Sequence, residues 1–154
     1  MLKINKKLEY ALMSLKFISE HKSSGELTSV SEITNQLKIP FHTTSKVMQA
    51  MNSAGILKSV QGLNGGYLLD APLNNVFYLE LASIVDQKES ESVCKTHKGL
   101  CDLYDHCNII NPIDRLNHSL NSYLSKLSIE DLFNMAFENK VNKSENPKEP
   151  RSNK

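Results

Sequence analysis

The sequence predicts a mainly α fold that carries one small β-hairpin as a wing and ends in a long amphipathic helix. Three observations predict it. Apolar residues recur at steps of three and four in the first third of the chain and again after Pro112, the spacing of one helix face. Between those stretches, two short β-prone runs flank a glycine-rich centre from Ile56 to Leu69, the pattern of a hairpin. With 154 residues, 40% of them hydrophobic, the chain can bury about 70% of its unfolded surface as one domain with an arm.

Leu8, Ala11, Leu12, Leu15 and Ile18 share one face and predict a first helix over residues 5–21, closing near Ser23-Ser24-Gly25. Ser29-Val30-Ser31-Glu32 is a capping-box pattern, a hydroxyl that takes an orphan amide followed three residues on by Glu. Val30, Ile33 and Leu37 then line a short second helix. Pro40 disfavours helix through residue 39. A third helix is therefore predicted from Thr43 to Ala54, with Val47, Ala50, Met51 and Ala54 inward and Gly55 as its C-terminal cap. Two short helices across a tight turn form a helix-turn-helix. The second displays His42, Thr43, Thr44, Ser45, Lys46 and Gln49, whose hydroxyls, amide and ammonium can bond phosphates or base edges. A surface helix kept wet by Ser, Thr and Gln has the same composition.

The next segment shifts the weight toward DNA, although a glycine turn that simply closes a hairpin has the same sequence. Ile56-Leu57-Lys58-Ser59-Val60 reads as a strand, Gln61-Gly62-Leu63-Asn64-Gly65-Gly66 as a turn and Tyr67-Leu68-Leu69 as the return strand. A helix-turn-helix followed at once by a hairpin is a winged helix, so the expected partner is double-stranded DNA. The glycines allow a thin tip suited to a minor groove, with Lys58 and Gln61 as candidate contacts. Residues 1–70 hold eight Lys against five acids, whereas residues 71–138 hold five basic residues against ten acids. The basic front end suits a phosphate backbone, and a solvated surface explains so small an excess nearly as well.

Leu81, Ala82, Ile84 and Val85 predict a short core helix ending near Asp86-Gln87. All three cysteines of the chain follow within one stretch, as Cys94-x6-Cys101-x5-Cys107. Thiolates are soft ligands for iron-sulfur iron, while Cys with His97 or His106 would also make a zinc site, and free thiols can act as a redox switch. After Pro112, a stripe of Ile113, Leu116, Leu120, Tyr123, Leu124 and Leu127 is long enough to pair with its copy in a second subunit, making a homodimer; a helix folded onto its own domain has the same pattern. Ser128-Ile129-Glu130-Asp131 then caps a last short helix with Leu132, Phe133, Met135, Ala136 and Phe137. The chain thus divides into a winged helix-turn-helix over residues 1–87, a cysteine sensor loop over 88–110, a dimerisation and terminal helix over 111–138, and a disordered tail over 139–154.

No run approaches the roughly 18 uninterrupted apolar residues of a membrane helix, and the basic N-terminus lacks the apolar core of a signal peptide. The expected location is the cytoplasm, without a membrane partner. No phosphate-binding loop, nucleophile elbow or paired-histidine zinc helix is present, so an enzyme is not expected.

The run Tyr10-Ala11, Val30-Ser31-Glu32-Ile33, Ala54-Gly55-Ile56-Leu57-Lys58-Ser59-Val60, Gly62, Gly65-Gly66-Tyr67-Leu68-Leu69 and the three cysteines resembles the Rrf-two family of winged-helix transcription regulators. The IscR-like and NsrR-like iron-sulfur regulators are among its members. The resemblance covers residues 1–137. It implies a dimeric DNA-binding regulator, usually a repressor, controlled by a 2Fe-2S or 4Fe-4S cluster on Cys94, Cys101 and Cys107 that senses nitric oxide, redox or iron-sulfur status. Two departures matter. Gln61 stands where the family often has a wing arginine, and Ile110 stands where IscR-like members have a histidine ligand. NsrR-like members take an acidic fourth ligand from the partner subunit, and Glu9 is at the matching position. His97 and His106 are local alternatives, and Asp102 and Asp105 weaker ones. The Asn64-Gly65-Gly66 wing and the missing histidine lean toward the NsrR-like side. The alternative function is a winged-helix regulator stabilised by zinc or switched by thiol-disulfide exchange.

Overall fold

Helix α1, Lys6–His21, begins the part of the chain that the computed structural model describes, which comprises residues 5–21, 26–62, 64–86 and 106–141. Asn5 starts the helix by accepting the Lys7 amide on its Oδ1 at 2.9 Å, which satisfies one of the first-turn donors. Leu8, Ala11, Leu15 and Ile18 are buried, and α1 packs against α3, Phe41–Ser53, and α4, Tyr78–Asp86. Helix α2, Val30–Leu37, is capped as its sequence predicts: Ser29 Oγ accepts the Glu32 amide at 3.1 Å. It ends where Lys38 takes a left-handed conformation, φ 56 and ψ 42, so that the Ile39 amide donates back to the Thr34 carbonyl.

Helix α3 starts two residues earlier than expected because Pro40, at φ −65, makes a ready helix entrance. Its buried face is Val47, Met48 and Met51. Ala54 is exposed rather than inward, and Met48 takes its place. The C-terminus closes as a Schellman motif: the Gly55 amide donates to the Asn52 carbonyl and the Ile56 amide to the Met51 carbonyl, with Gly55 at φ +76. Met51 and Ile56 are both buried beside it.

Strands β1, Leu57–Val60, and β2, Gly66–Leu69, pair antiparallel with Leu57 opposite Leu69 and Val60 opposite Gly66. A contribution invisible in the sequence adds to this hairpin. Thr28 exchanges both backbone hydrogen bonds with Tyr67, at 2.8 and 2.9 Å, and so extends the sheet beyond β2. The close approach needs Gly66, whose missing side chain leaves room for the Thr28 backbone.

A short 3-10 turn at Leu73–Asn75 leads into α4, whose Tyr78, Leu81 and Val85 are buried. Helix α5, Ile110–Leu124, and helix α6, Ile129–Val141, complete the described chain. Between them the backbone returns to the first domain. Tyr78 N donates to the Leu127 carbonyl and Ile129 N to the Val76 carbonyl, both at 2.9 Å. Ser128 Oγ accepts the Asp131 amide at 3.0 Å and donates to the Asp131 carboxylate at 2.6 Å, which starts α6. Helix α6 runs through Val141, so residues 139–141 are helix rather than tail, and 142–154 lie outside the described residues. Among the described residues no helix is long and apolar enough to cross a membrane.

Candidate functional site

The entrance that Pro40 gives α3 sets which of its side chains look outward. His42, Lys46 and Gln49 are exposed, and Thr43 and Ser45 are half-buried. Thr44 departs from its expected place on the DNA-facing surface. It is fully buried, and its Oγ1 donates to the Pro40 carbonyl at 2.8 Å, four residues back, so it holds the helix start and cannot meet DNA. Lys58 on β1 and Gln61 just past it are exposed on the wing. At the wing tip Gly62 has φ +130, and the Gly65 amide donates to the Gly62 carbonyl at 3.0 Å. That hydrogen bond closes the turn between the two strands.

This face also exposes a residue that helical periodicity does not flag. Phe41, the first residue of α3, is 54% exposed. It borders a cleft shared with the start of α2 and the base of the wing, lined also by Ser29, Ser31, Ser59 and Val60. A helix predicted to begin at Thr43 hides this residue, and Pro40 is the signal in the sequence that can reveal it.

Of the candidate metal ligands, Cys94, Cys101, His97, Asp102 and Asp105 lie outside the described residues. Cys107 is half-buried, three residues before α5 begins, with His106 exposed beside it. Glu9 sits in the first turn of α1, half-exposed, with its carboxylate 2.7 Å from Lys6 Nζ. The Glu9 carboxylate, through its hydrogen bond and its charge, holds the Lys6 ammonium pKa above its ordinary value. Among the described residues no three His, Cys, Asp or Glu side chains gather into a metal-holding group. The three cysteines are soft thiolate donors of the kind that suits iron-sulfur iron, and the Glu9 carboxylate is partly exposed beside Lys6.

The predicted dimer stripe divides in two. Ile113, Leu116 and Tyr123 on α5 are exposed, Leu116 and Tyr123 at 54% each, and Leu120 and Leu124 are half-buried. Leu127 is a correction. It lies beyond the end of α5, is buried in the core of its own chain, and offers its carbonyl to Tyr78. The last predicted position of the stripe therefore belongs to the monomer's interior.

Known proteins share this architecture. The sequence profile of the Rrf2 (Rrf-two) family, described as an iron-dependent transcriptional regulator, matches residues 4–135. The transcriptional regulator IscR of Xenorhabdus nematophila is 25% identical over 132 residues, covering 85% of this chain and 79% of that protein. Among solved structures, CymR, the global cysteine regulator of B. subtilis, superposes with a TM-score of 0.64 at 22% identity, over 86% of this chain and 96% of that one. IscR of T. potens gives 0.60 at 19% identity, over 90% and 91%. Both likenesses show the winged-helix fold. The profile match over most of the chain shows that this protein belongs to the Rrf2 family of winged-helix transcription regulators.

Proposed function

We propose that the chain is a homodimeric repressor whose hold on a double-stranded DNA operator is set by an iron-sulfur cluster. One observation carries the reading. In a member of a family described as iron-dependent, all three cysteines lie between the wing-bearing domain and the exposed apolar face of α5. Residues 1–87 then contact DNA, 88–110 sense, and the exposed face of α5 within 111–138 pairs the subunits.

Cys94, Cys101 and Cys107 would hold a 2Fe-2S or 4Fe-4S cluster, with Glu9 of the partner subunit as fourth ligand. When bound, the cluster supplies a centre that reacts with nitric oxide or oxidants, or is lost when iron is scarce. The chain's own residues carry the consequence. Cys107 stands just ahead of α5, α5 packs on α4, and α4 packs on α1 and α3. A change at Cys107 is felt along that path at the recognition helix. In the dimer, Ile113, Leu116, Leu120, Tyr123 and Leu124 set how far apart the two α3 helices stand. A palindrome read in successive major grooves needs a spacing of about 34–36 Å, so a small rotation at α5 is enough to release it. His42, Thr43, Ser45, Lys46 and Gln49 of α3 and Lys58 and Gln61 of the wing would touch DNA, a reading that their partial or full exposure supports.

The test is a visible absorption spectrum with iron and acid-labile sulfide analysis on protein purified without oxygen, followed by DNA-binding titrations. Comparable iron and sulfide with broad visible absorption is the expected result. Cys101→Ala should abolish both the absorption and the response of DNA binding to nitric oxide. A colourless protein with zinc or no metal, even after cluster reconstitution, would refute the reading and leave a zinc-stabilised or thiol-switched regulator. Cytoplasmic location follows from the proposed partner, chromosomal DNA.

A further inference from the structure

We infer that the cleft between the recognition helix and the wing seats one sugar-phosphate strand of DNA and holds it with uncharged donors. The inference rests on the reading of α3 and the wing as DNA contacts. The cleft has a volume of about 480 Å3 and runs between the start of α2, the leading end of α3 and the base of the wing. Ser29, Ser31 and Ser59 bring three hydroxyls to its lining and Gln61 an amide, while Phe41 and Val60 form exposed apolar lips. Among the described residues, no acidic or basic side chain lines it.

The occupant follows from the position of the cleft. A helix in a major groove and a hairpin tip in the adjacent minor groove straddle the backbone that separates the two grooves. That backbone alternates anionic oxygens with apolar deoxyribose faces. The cleft offers a match to each. Ser29 Oγ already accepts the Glu32 amide at 3.1 Å, so its own proton remains available to donate outward. Ser31 and Ser59 are exposed hydroxyls, and such groups are ordinary phosphate donors in protein-DNA interfaces. Phe41 at 54% and Val60 at 42% exposure supply apolar surface for sugar carbons. Water is the present alternative for both side chains, and covering them removes apolar area from it.

Uncharged donors leave a signature that lysines do not. Counterion release, and hence the slope of log K against log salt, counts phosphates neutralised by cations, at about 0.9 for each. Hydroxyl contacts add affinity without adding slope. The cleft is therefore separable from Lys46 and Lys58, which stand outside its lining.

The test uses the full chain, prepared both with and without oxygen, on a duplex that the wild type selects from a randomised library. Ser31→Ala/Ser59→Ala leaves the Ser29 cap intact and is expected to weaken binding on the order of tenfold with an unchanged salt slope. Phe41→Ala should likewise weaken binding without changing the slope. Lys46→Ala should instead flatten the slope by about 0.9 for each phosphate that the lysine neutralises. Phosphate ethylation interference supplies a readout that a folding defect would not mimic. The wild type should be blocked by ethylation at a phosphate between the two groove contacts of each half-site, and the serine double variant should lose sensitivity there. Unchanged affinity of the folded double variant overturns the proposal, as does a loss accompanied by a flatter slope. If the double variant does not fold, absence of an essential inter-groove phosphate in the wild type overturns it equally. A wild-type chain that selects no duplex refutes DNA binding itself, a separate outcome.

Discussion

Replacing Gly66 with Ala places a methyl group where the fold has backbone. An ideal Cβ there would lie 2.8 Å from the Thr28 carbonyl oxygen, 2.9 Å from its carbon and 3.1 Å from the Thr28 nitrogen. None of these atoms belongs to a flexible side chain, so the clash is relieved only by moving β2 away from residue 28. That movement breaks the two hydrogen bonds between Thr28 and Tyr67. At about 0.5–1.5 kcal/mol per bond, with about 1–3 kcal/mol for overpacking, the expected destabilisation is roughly 2–4 kcal/mol after partial relaxation. Gly55→Ala is the internal comparison. A Cβ at Gly55 meets nothing within 4 Å, and the cost there comes from φ +76 alone, about 1–2 kcal/mol. Urea unfolding of both variants, read by circular dichroism, measures the difference. Gly66→Ala within about 0.5 kcal/mol of wild type, or less costly than Gly55→Ala, would show that residue 28 is not pinned to the wing. DNA affinity of Gly66→Ala should fall as well, because the wing base moves with β2.

Further outcomes follow from the two halves of the predicted dimer stripe and from one buried phenol. Leu116→Arg changes an exposed residue and should leave the chain's own stability within about 0.5 kcal/mol while shifting sedimentation equilibrium to the monomer. A dimer of unchanged strength would remove α5 from the interface. Leu127→Ala, in the core, should instead destabilise folding by about 2–5 kcal/mol, measured by urea titration. Burial raises the Tyr78 phenol above its ordinary value of 10.0. The unfolded chain therefore ionises first, and stability is lost as pH rises above that value. Tyr78→Phe should lose less stability on alkaline titration than wild type; an equal loss would mean that other groups govern it.

Local signals make the first helices and the hairpin legible in the sequence. The Ser29 capping box, the Gly55 stop and the glycine-rich wing each act within a few residues, and each element forms near its predicted bounds. Pairings between distant residues are not legible in this way. Nothing around Thr28 marks it as a strand partner of Tyr67, and nothing around Ser128 marks it as a partner of Phe77. Helical spacing continues through Leu127 and so assigns it to the dimer stripe, but the helix stops at Leu124 and the chain turns back to Tyr78. Thr44 misleads for a related reason. A hydroxyl in the first turn can bond a carbonyl of the preceding turn and disappear from the surface, and composition does not reveal which way it points. The cysteine spacing is plain in the sequence, whereas a contact made by another copy of the chain would leave no mark in sequence order.

The backbone pairing of residues 76–78 with 127–129 turns everything between them into a loop tethered at both ends. The entropy of closing such a loop rises only with the logarithm of its length, about 0.6 kcal/mol for each doubling. Residues can therefore be gained or lost between Asp86 and His106 with little effect on whether the two ends meet. The closure cost alone constrains the length of this part of the chain only weakly, and the winged helix on the far side of the tether does not depend on it. The tether also restrains the C-terminal helices, which cannot swing away from α4 without breaking the hydrogen bonds that join Tyr78 to Leu127 and Ile129 to Val76.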